Sequence, residues 1–362
     1  MIISLFTFWR IGLFLVGYLG SLAFPKVSNG GPGSVSGGKF DYLTSWAQWD
    51  GGHYLDIAKV GYLRDTDYAF FPLFPLLARL TNRFFPENII LSGLVLTNIF
   101  FIIFLIVFHK YVAKISSQKT ALTTITTLLV FPTTFYTIAF YSESLFLFLL
   151  AATFLFLSSR KYLEAAVAVS FASITRLVGV FLTLSLFWVY SEHLKFNIKK
   201  IDRKIFHLLV AFFAFAIYAI YLWYKNDDPL RFLTVQRIWN REVTDPVSTV
   251  SSYLWAYVIG EKRPINDFFD LITTIFFLSV LIIGRKKISS SLWIFSILVI
   301  LIPASTGTLT SMPRYALSSL GTFIIIGKYL EENPKLKIPV WSVSLITQVY
   351  LLVRFINGYW VA

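Results

Sequence analysis

The stretch IILSGLVLTNIFFIIFLIVF, from Ile89 to Phe108, carries no charged residue, and its reading decides the fold. As an α-helix rising about 1.5 Å per residue, a segment of this length covers about 30 Å, the hydrocarbon thickness of a bilayer. A helix that is apolar on every side belongs in lipid or deep inside a bundle. Working outward, comparable runs recur over residues 2–24, 89–108, 120–139, 142–159, 162–176, 177–194, 205–224, 266–283, 289–304, 314–330 and 338–356. The expected fold is therefore an all-α integral membrane bundle of about 11 transmembrane helices, forming a single polytopic domain over 1–362. The pair 162–176 and 177–194 reads either as two short spans meeting near Arg176 or as one long broken helix.

Composition agrees with this class. Of the 362 residues 56% are hydrophobic and 18% aromatic, Phe alone occurs 37 times, and the mean hydropathy is +0.69. With no cysteine there is no disulfide, thiolate metal site or cysteine nucleophile. The first apolar run starts at Ile2 with no small-residue cleavage site after it, so it is expected to be a retained helix and not a signal peptide.

The net charge of +13 is a topology signal and not a nucleic-acid signature. Lys110, Lys114 and Lys119 share one short loop; Arg160 and Lys161 follow, then Lys195 to Lys204, Arg285 to Lys287, and Lys328 to Lys337. With these spans, all five clusters fall on one side, which the positive-inside rule makes cytoplasmic. With Arg10, that side holds 17 basic and 5 acidic residues; the other holds 15 and 14.

Two loops on the outer side are long, 25–88 and 225–265, and function is expected there. The first opens on a Gly/Ser-rich stretch from Ser28 to Gly38, read as a flexible linker. It continues with WAQWDGGHYLDIAKVGY, Trp46 to Tyr62. Tyr54, Ile57, Ala58, Gly61 and Tyr62 repeat at helical spacing, so a short amphipathic helix along the membrane surface is expected, with Asp56 and Lys59 toward water. In the second loop Phe232, Val235, Gln236 and Trp239 share a face, with Arg231, Arg237 and Arg241 beside it. No internal repeat is evident, which weakens a transporter built from duplicated halves.

Several residues invite both a structural and a chemical reading. Asp50 is either the N-cap of the surface helix or a positioned carboxylate, and the two roles are compatible. Trp46 and Trp49 suit interfacial anchoring. Asp65-Thr66-Asp67 spells a metal–nucleotide motif, but no nucleotide-binding α/β domain surrounds it, so a polar turn is the better reading. The four histidines form no i, i+4 pair, and a zinc site is not expected. Phe70 to Pro75 places two prolines three apart, a kink where the chain re-enters the membrane. Glu143 caps a helix start or serves the site; Arg176 and Arg314 snorkel or bind an anion. Together Asp50, Glu143, Arg176, Gln236 and Arg314 fall at one membrane face, which favours an interfacial enzyme over a conduction path.

The ordered series WDGGHYLDIAKVGY, AFFPLFPLL (Ala69 to Leu77), YSESLF (Tyr141 to Phe146), TRLVG (Thr175 to Gly179), DPLRFLTVQRIW (Asp228 to Trp239) and PRY (Pro313 to Tyr315) carries a family resemblance. The chain resembles a prokaryotic member of the PIG-V (GPI mannosyltransferase II-like) family, within the GT-C membrane glycosyltransferases. The resemblance implies an inverting transfer of mannose from polyprenyl-phosphate-mannose to a lipid-linked or other extracytoplasmic acceptor, with Asp50 as general base. It implies an enzyme of the prokaryotic plasma membrane with its active site on the extracytoplasmic face. Arg176, Arg314 and Arg237 suit a donor phosphate because guanidinium groups offer paired donors. Gln236 and Trp239 are grouped with them; His53, Trp49, Glu143 and Asp65 are candidates for the acceptor or for orienting the base. No metal and no cofactor is expected, the lipid-linked sugar being a substrate. The competing reading is a transporter or flippase of a lipid-linked sugar.

Overall fold

Apolar runs become helices here until a proline, a polar cap or a charged end stops them. The computed structural model of the protein describes residues 1–28, 40–86 and 88–361. The Gly/Ser-rich stretch thus lies, beyond Ser28, outside the described residues. The first half contains α1 (Ile2–Ala23), α2 (Asp50–Val60), α3 (Leu73–Thr81), α4 (Ile89–Ile115) and α5 (Gln118–Leu129). There follow α6 (Glu143–Leu157), α7 (Tyr162–Ser173) and α8 (Leu182–His193). A nearly continuous helical stretch then comprises α9 (Ile205–Leu209) and α10 (Phe213–Asn226). The second half adds α11 (Arg231–Thr234), α12 (Pro246–Val258), α13 (Ile265–Ile283) and α14 (Ser290–Ala304). It closes with α15 (Met312–Ala316), α16 (Leu320–Glu332) and α17 (Lys337–Ile356). No strand occurs among the described residues.

Five helical stretches are long and apolar enough to cross a membrane: Ile2–Ala23, Ile89–Ile115, Ile205–Asn226, Ile265–Ile283 and Pro334–Ile356. Their outer faces leave large apolar side chains uncovered, among them Phe8, Leu19, Phe213, Trp223, Ile283 and Ile346. Water would not tolerate so continuous an apolar surface, and lipid does. The protein is an all-helical integral membrane protein. Helix α1 is drawn tightly onto α17 at Gly20, where an added Cβ would come within 2.7 Å of Val353. Small residues at such contacts let backbones approach where no hydrophobic force separates protein from lipid.

Several expected spans prove shorter or broken. The run at 89–108 continues to Ile115, which puts Lys110 and Lys114 on the last turns of α4. The run at 120–139 does not stay helical: α5 ends at Leu129, just before Pro132, which lacks an N–H and disfavours helix in the residue before it. Gln348 of α17 meets the carbonyls that this break releases, donating to Leu129 O at 2.9 Å and Phe131 O at 2.6 Å. Backbone groups freed inside a membrane protein need such partners. The 314–330 run is interrupted at 317–319, so Arg314 sits on the separate short helix α15. Between α7 and α8 the chain leaves the helix around Arg176, which makes these two short helices meeting there.

The basic ends converge. Lys114 Nζ donates to Ser158 O at 2.9 Å, Lys287 pairs with Glu332 at 2.8 Å, and Lys328 Nζ donates to Lys287 O at 2.6 Å. Glu143 lies at the other end of α6, about 22 Å away at the usual helical rise. Arg10 does not join the basic end. It sits inside the bundle, donating from Nε to Asn98 at 2.9 Å and lying 5.1 Å from the Trp46 ring.

Candidate active site

Two breaks in helical structure build the site. The segment between α5 and α6 runs back along the start of α2: Phe140 N donates to Trp46 O at 2.9 Å, and Tyr141 Oη to Gln48 O at 2.7 Å. Gly51 makes this approach possible, since a Cβ there would meet Tyr141 at 3.2 Å and Phe140 O at 3.3 Å. Tyr54 Oη and Ser142 Oγ close the seam at 2.8 Å. Asp50 and Glu143 are thereby fixed side by side at the starts of α2 and α6.

Asp50 is not the cap of its helix. Trp49, with φ of +54°, occupies that position, and no side chain caps the turn. The Asp50 carboxylate, already one residue inside the helix, turns instead to Arg314, accepting from Nη2 at 2.6 Å. Arg314 Nε lies 3.1 Å from Glu143 Oε1. The same Glu143 oxygen accepts a hydrogen bond from Arg176 Nη1. The result is a continuous chain, Asp50–Arg314–Glu143–Arg176, of two acids and two bases. Asp50 is 21% exposed, whereas Arg314, Glu143 and Arg176 are 8%, 3% and 9% exposed. Neither arginine snorkels to an interface, and Glu143 does not cap α6; Ser142 holds the N-cap position.

The chain is not fully satisfied. Glu143 Oε2 and Arg314 Nη1 are buried and have no hydrogen-bond partner among the described residues. Buried polar atoms of this kind normally find partners, so this cluster suits a polar ligand. Tyr315 lies among three guanidiniums, with Arg176, Arg314 and Arg241 at 5.5, 5.9 and 5.9 Å from its ring centre. Arg241 is held by Thr310 O at 3.2 Å. Three guanidiniums gathered around one ring form a donor set that suits an anion.

The remaining predicted residues separate from this cluster. Asp65 pairs with Arg231 at 2.9 Å and clasps the two long loops together. His53 turns away from Asp50, its Nδ1 2.9 Å from Asp67. Trp49 donates to Tyr359 O at 3.3 Å and meets Trp360 edge-on, anchoring the C-terminal segment. Trp46 is fully buried and is no interfacial anchor. Gln236, in the turn after α11, bonds from Nε2 back to Phe232 O at 3.3 Å. Arg237 is exposed and forms no side-chain hydrogen bond or ion pair among the described residues. Trp239 reaches His53 and Phe70, ring centres 6.2 Å from each. Arg241, read from the sequence only as charge beside the second-loop face, joins the cluster; Tyr315 and the buried Asp270, whose Oδ1 accepts from Met312 N at 2.9 Å and so fixes the start of α15, are site residues the sequence did not single out. The adjacency of Tyr315 to Arg314 was the only signal for it. The expected surface helix also differs: Tyr54, Ile57 and Ala58 of α2 are buried against protein, leaving Lys59 and Val60 exposed.

Asp67 is 0% exposed and accepts from His53, from Arg64 N at 2.9 Å and from the Arg64 guanidinium at 3.1 Å. Burial alone would raise its pKa, but these donors outweigh burial and hold the carboxyl at about 2. A carboxyl depressed in the folded state stabilises it above the unfolded pKa of about 4, and that contribution disappears as pH falls toward 2. The thermal midpoint of the protein should therefore exceed that of Asp67→Asn at pH 6 and approach it below pH 3. Equal gaps at both pH values would show that Asp67 carries no such linkage.

The family model for mannosyltransferase (PIG-V) matches residues 2–226. A search of curated proteins finds no match by sequence. Among solved structures, ArnT from Cupriavidus metallidurans bound to undecaprenyl phosphate aligns with a TM-score of 0.55 and 12% identity over 90% of this chain. The same protein in its apo state gives 0.54 and 14% over 91%. The alignments cover 60% and 59% of those chains, so this chain spans less than two thirds of ArnT's length. At such identity the likeness is one of fold.

Proposed function

The chain belongs to the PIG-V mannosyltransferase family, and from that premise we propose an inverting GT-C-type glycosyltransferase that uses polyprenyl-phosphate-mannose. The acceptor is a hydroxyl on a lipid-linked or other molecule outside the cytoplasm. The observation that carries this reading is the chain of ion pairs that ends on Asp50, with the three arginines beside it. ArnT holds undecaprenyl phosphate in one of the matching structures, which supports a polyprenyl phosphate carrier for this chain.

In the proposed reaction the Asp50 carboxylate takes the proton of the acceptor hydroxyl as its oxygen bonds to the sugar's anomeric carbon. The bond from that carbon to the phosphate oxygen breaks, and the polyprenyl phosphate leaves with the electron pair. Arg176, Arg314 and Arg241 stabilise the charge it gains. Arg314 then has two anions to serve, so an arriving phosphate competes with Asp50 for its guanidinium and loosens the base. Glu143 holds Arg176 and Arg314 in register. Metal is not required in this scheme.

The basic helix ends are assigned to the cytoplasm by the positive-inside rule, which puts Asp50 at the extracytoplasmic face of a prokaryotic plasma membrane. The chain is then a single polytopic domain, with Asp50 in the first extracytoplasmic loop, 25–88, and Arg241 in the second, 225–265.

Purified protein reconstituted with polyprenyl-phosphate-mannose and membrane lipid extract, followed by mass spectrometry, tests the reaction. A new hexose on a lipid or protein product supports it; movement of donor between leaflets with no new glycosidic bond points to a flippase. Losing a charged hydrogen bond costs about 1.5–3 kcal/mol, roughly 10- to 150-fold in affinity. Arg176→Ala should accordingly raise the donor concentration for half-maximal rate at least about tenfold. An unchanged donor dependence would remove Arg176 from the phosphate site.

A further inference from the structure

The corner where the two long loops meet holds polar and aromatic groups that the transfer step leaves unused. His53 follows Asp50 by three residues, about 5 Å along α2. Its ring lies flat on Phe70, ring centres 4.5 Å apart and 13° between planes, and Trp239 closes the side at 6.2 Å. The Asp65–Arg231 pair, 2.9 Å, holds the loops in this arrangement.

Asp67 fixes the imidazole. Its carboxylate accepts from Arg64 N, the Arg64 guanidinium and His53 Nδ1, so it is ionised and Nδ1 carries the hydrogen. That leaves Nε2 as the outward nitrogen. Nε2 forms no hydrogen bond among the described residues, on an imidazole that is 23% exposed. Trp239 is 38% exposed. An oriented hydrogen-bonding nitrogen beside an accessible indole offers one polar and one flat apolar contact. It fits a ligand that presents both C–H surface and hydroxyls.

We propose that Trp239 and His53 form a hexopyranose-binding subsite one helical turn from Asp50. The sugar's C–H face packs on the indole, and one ring hydroxyl bonds to His53 Nε2. The identity of the ring rests on the glycosyl-transfer reading of the same site; the existence of the corner does not. Either the donor's mannose or a sugar of the acceptor supplies the same chemistry.

The test measures affinity by isothermal titration on the full chain in lipid nanodiscs, with two probes. Octyl α-mannopyranoside stands for a neutral acceptor glycoside, and citronellyl-phosphate-mannose for the donor. Trp239→Ala should weaken at least one probe tenfold or more, and His53→Leu should weaken the same one. Trp255→Ala, an exposed indole on α12, should change neither by more than twofold. Loss confined to the octyl glycoside assigns the corner to the acceptor, and loss confined to the phosphate probe assigns it to the donor. If both probes bind Trp239→Ala as they bind wild type, or if neither binds wild type, the subsite does not exist. Wild-type protein that binds a probe through Trp239 yet forms no glycosidic bond overturns the transferase reading alone.

Discussion

Asp50→Asn lowers mannosyl transfer by about a thousandfold, within the 10²–10⁴ range that a positioned general base supplies. The substitution is close to isosteric, and the Asn carbonyl still accepts from Arg314, which Asp50 meets at 2.6 Å. What is lost is the ability to take a proton. Initial rates with saturating polyprenyl-phosphate-mannose read the effect, and the thermal midpoint controls for folding. A variant that folds and still transfers at more than a tenth of the wild-type rate would falsify the base assignment. The proton would then have to leave by another route, and His53, which faces Asp67, becomes the next residue to change.

Glu143→Gln is the substitution expected to cost most in stability. Glu143 Oε1 serves two arginines, and the Glu143 and Arg176 side chains are almost fully enclosed. Removing one partner from a buried ion pair costs about 3–5 kcal/mol, because the charge left behind has neither water nor counter-ion. The loss should appear as a markedly lower thermal midpoint and poor yield from membranes. Its origin can be separated from simple packing damage. In Glu143→Gln/Arg176→Gln the uncompensated charge is gone, so the double variant should be more stable than Glu143→Gln alone. If the double variant is the less stable of the two, the ion pair is not what Glu143 contributes. Neither variant should transfer mannose well, since both disturb the group that orients Arg314.

Much of the fold was legible because membrane residence is a local property. An unbroken apolar run such as Ile89 to Phe108 declares its surroundings without reference to the rest of the chain. The breaks were less legible. Pro132 marks one in plain sight, yet the apolar residues around it, Val130, Phe131 and Ile138, read as continuous span. What makes the break tolerable is Gln348, more than 200 positions away. The apolar stripe of α2 was legible as well, but not its direction; periodicity shows that a face is buried and not whether protein or lipid buries it.

The sequence by itself determined that this is a helical membrane protein with an excess of basic over acidic residues at one end, and it put Asp50, Glu143, Arg176 and Arg314 at the other. It also carried the family resemblance, spread over short motifs. Only the tertiary structure decided who pairs with whom. Asp50 finds Arg314 across 264 positions, Glu143 finds Arg176 across 33, and His53 turns to Asp67 in place of Asp50. Arg241 arrives beside Tyr315 while Arg237, four residues earlier, stays outside. Hydrophobicity acts through composition and spacing along the chain, whereas an ion pair depends on a few ångströms between helices that the sequence does not order.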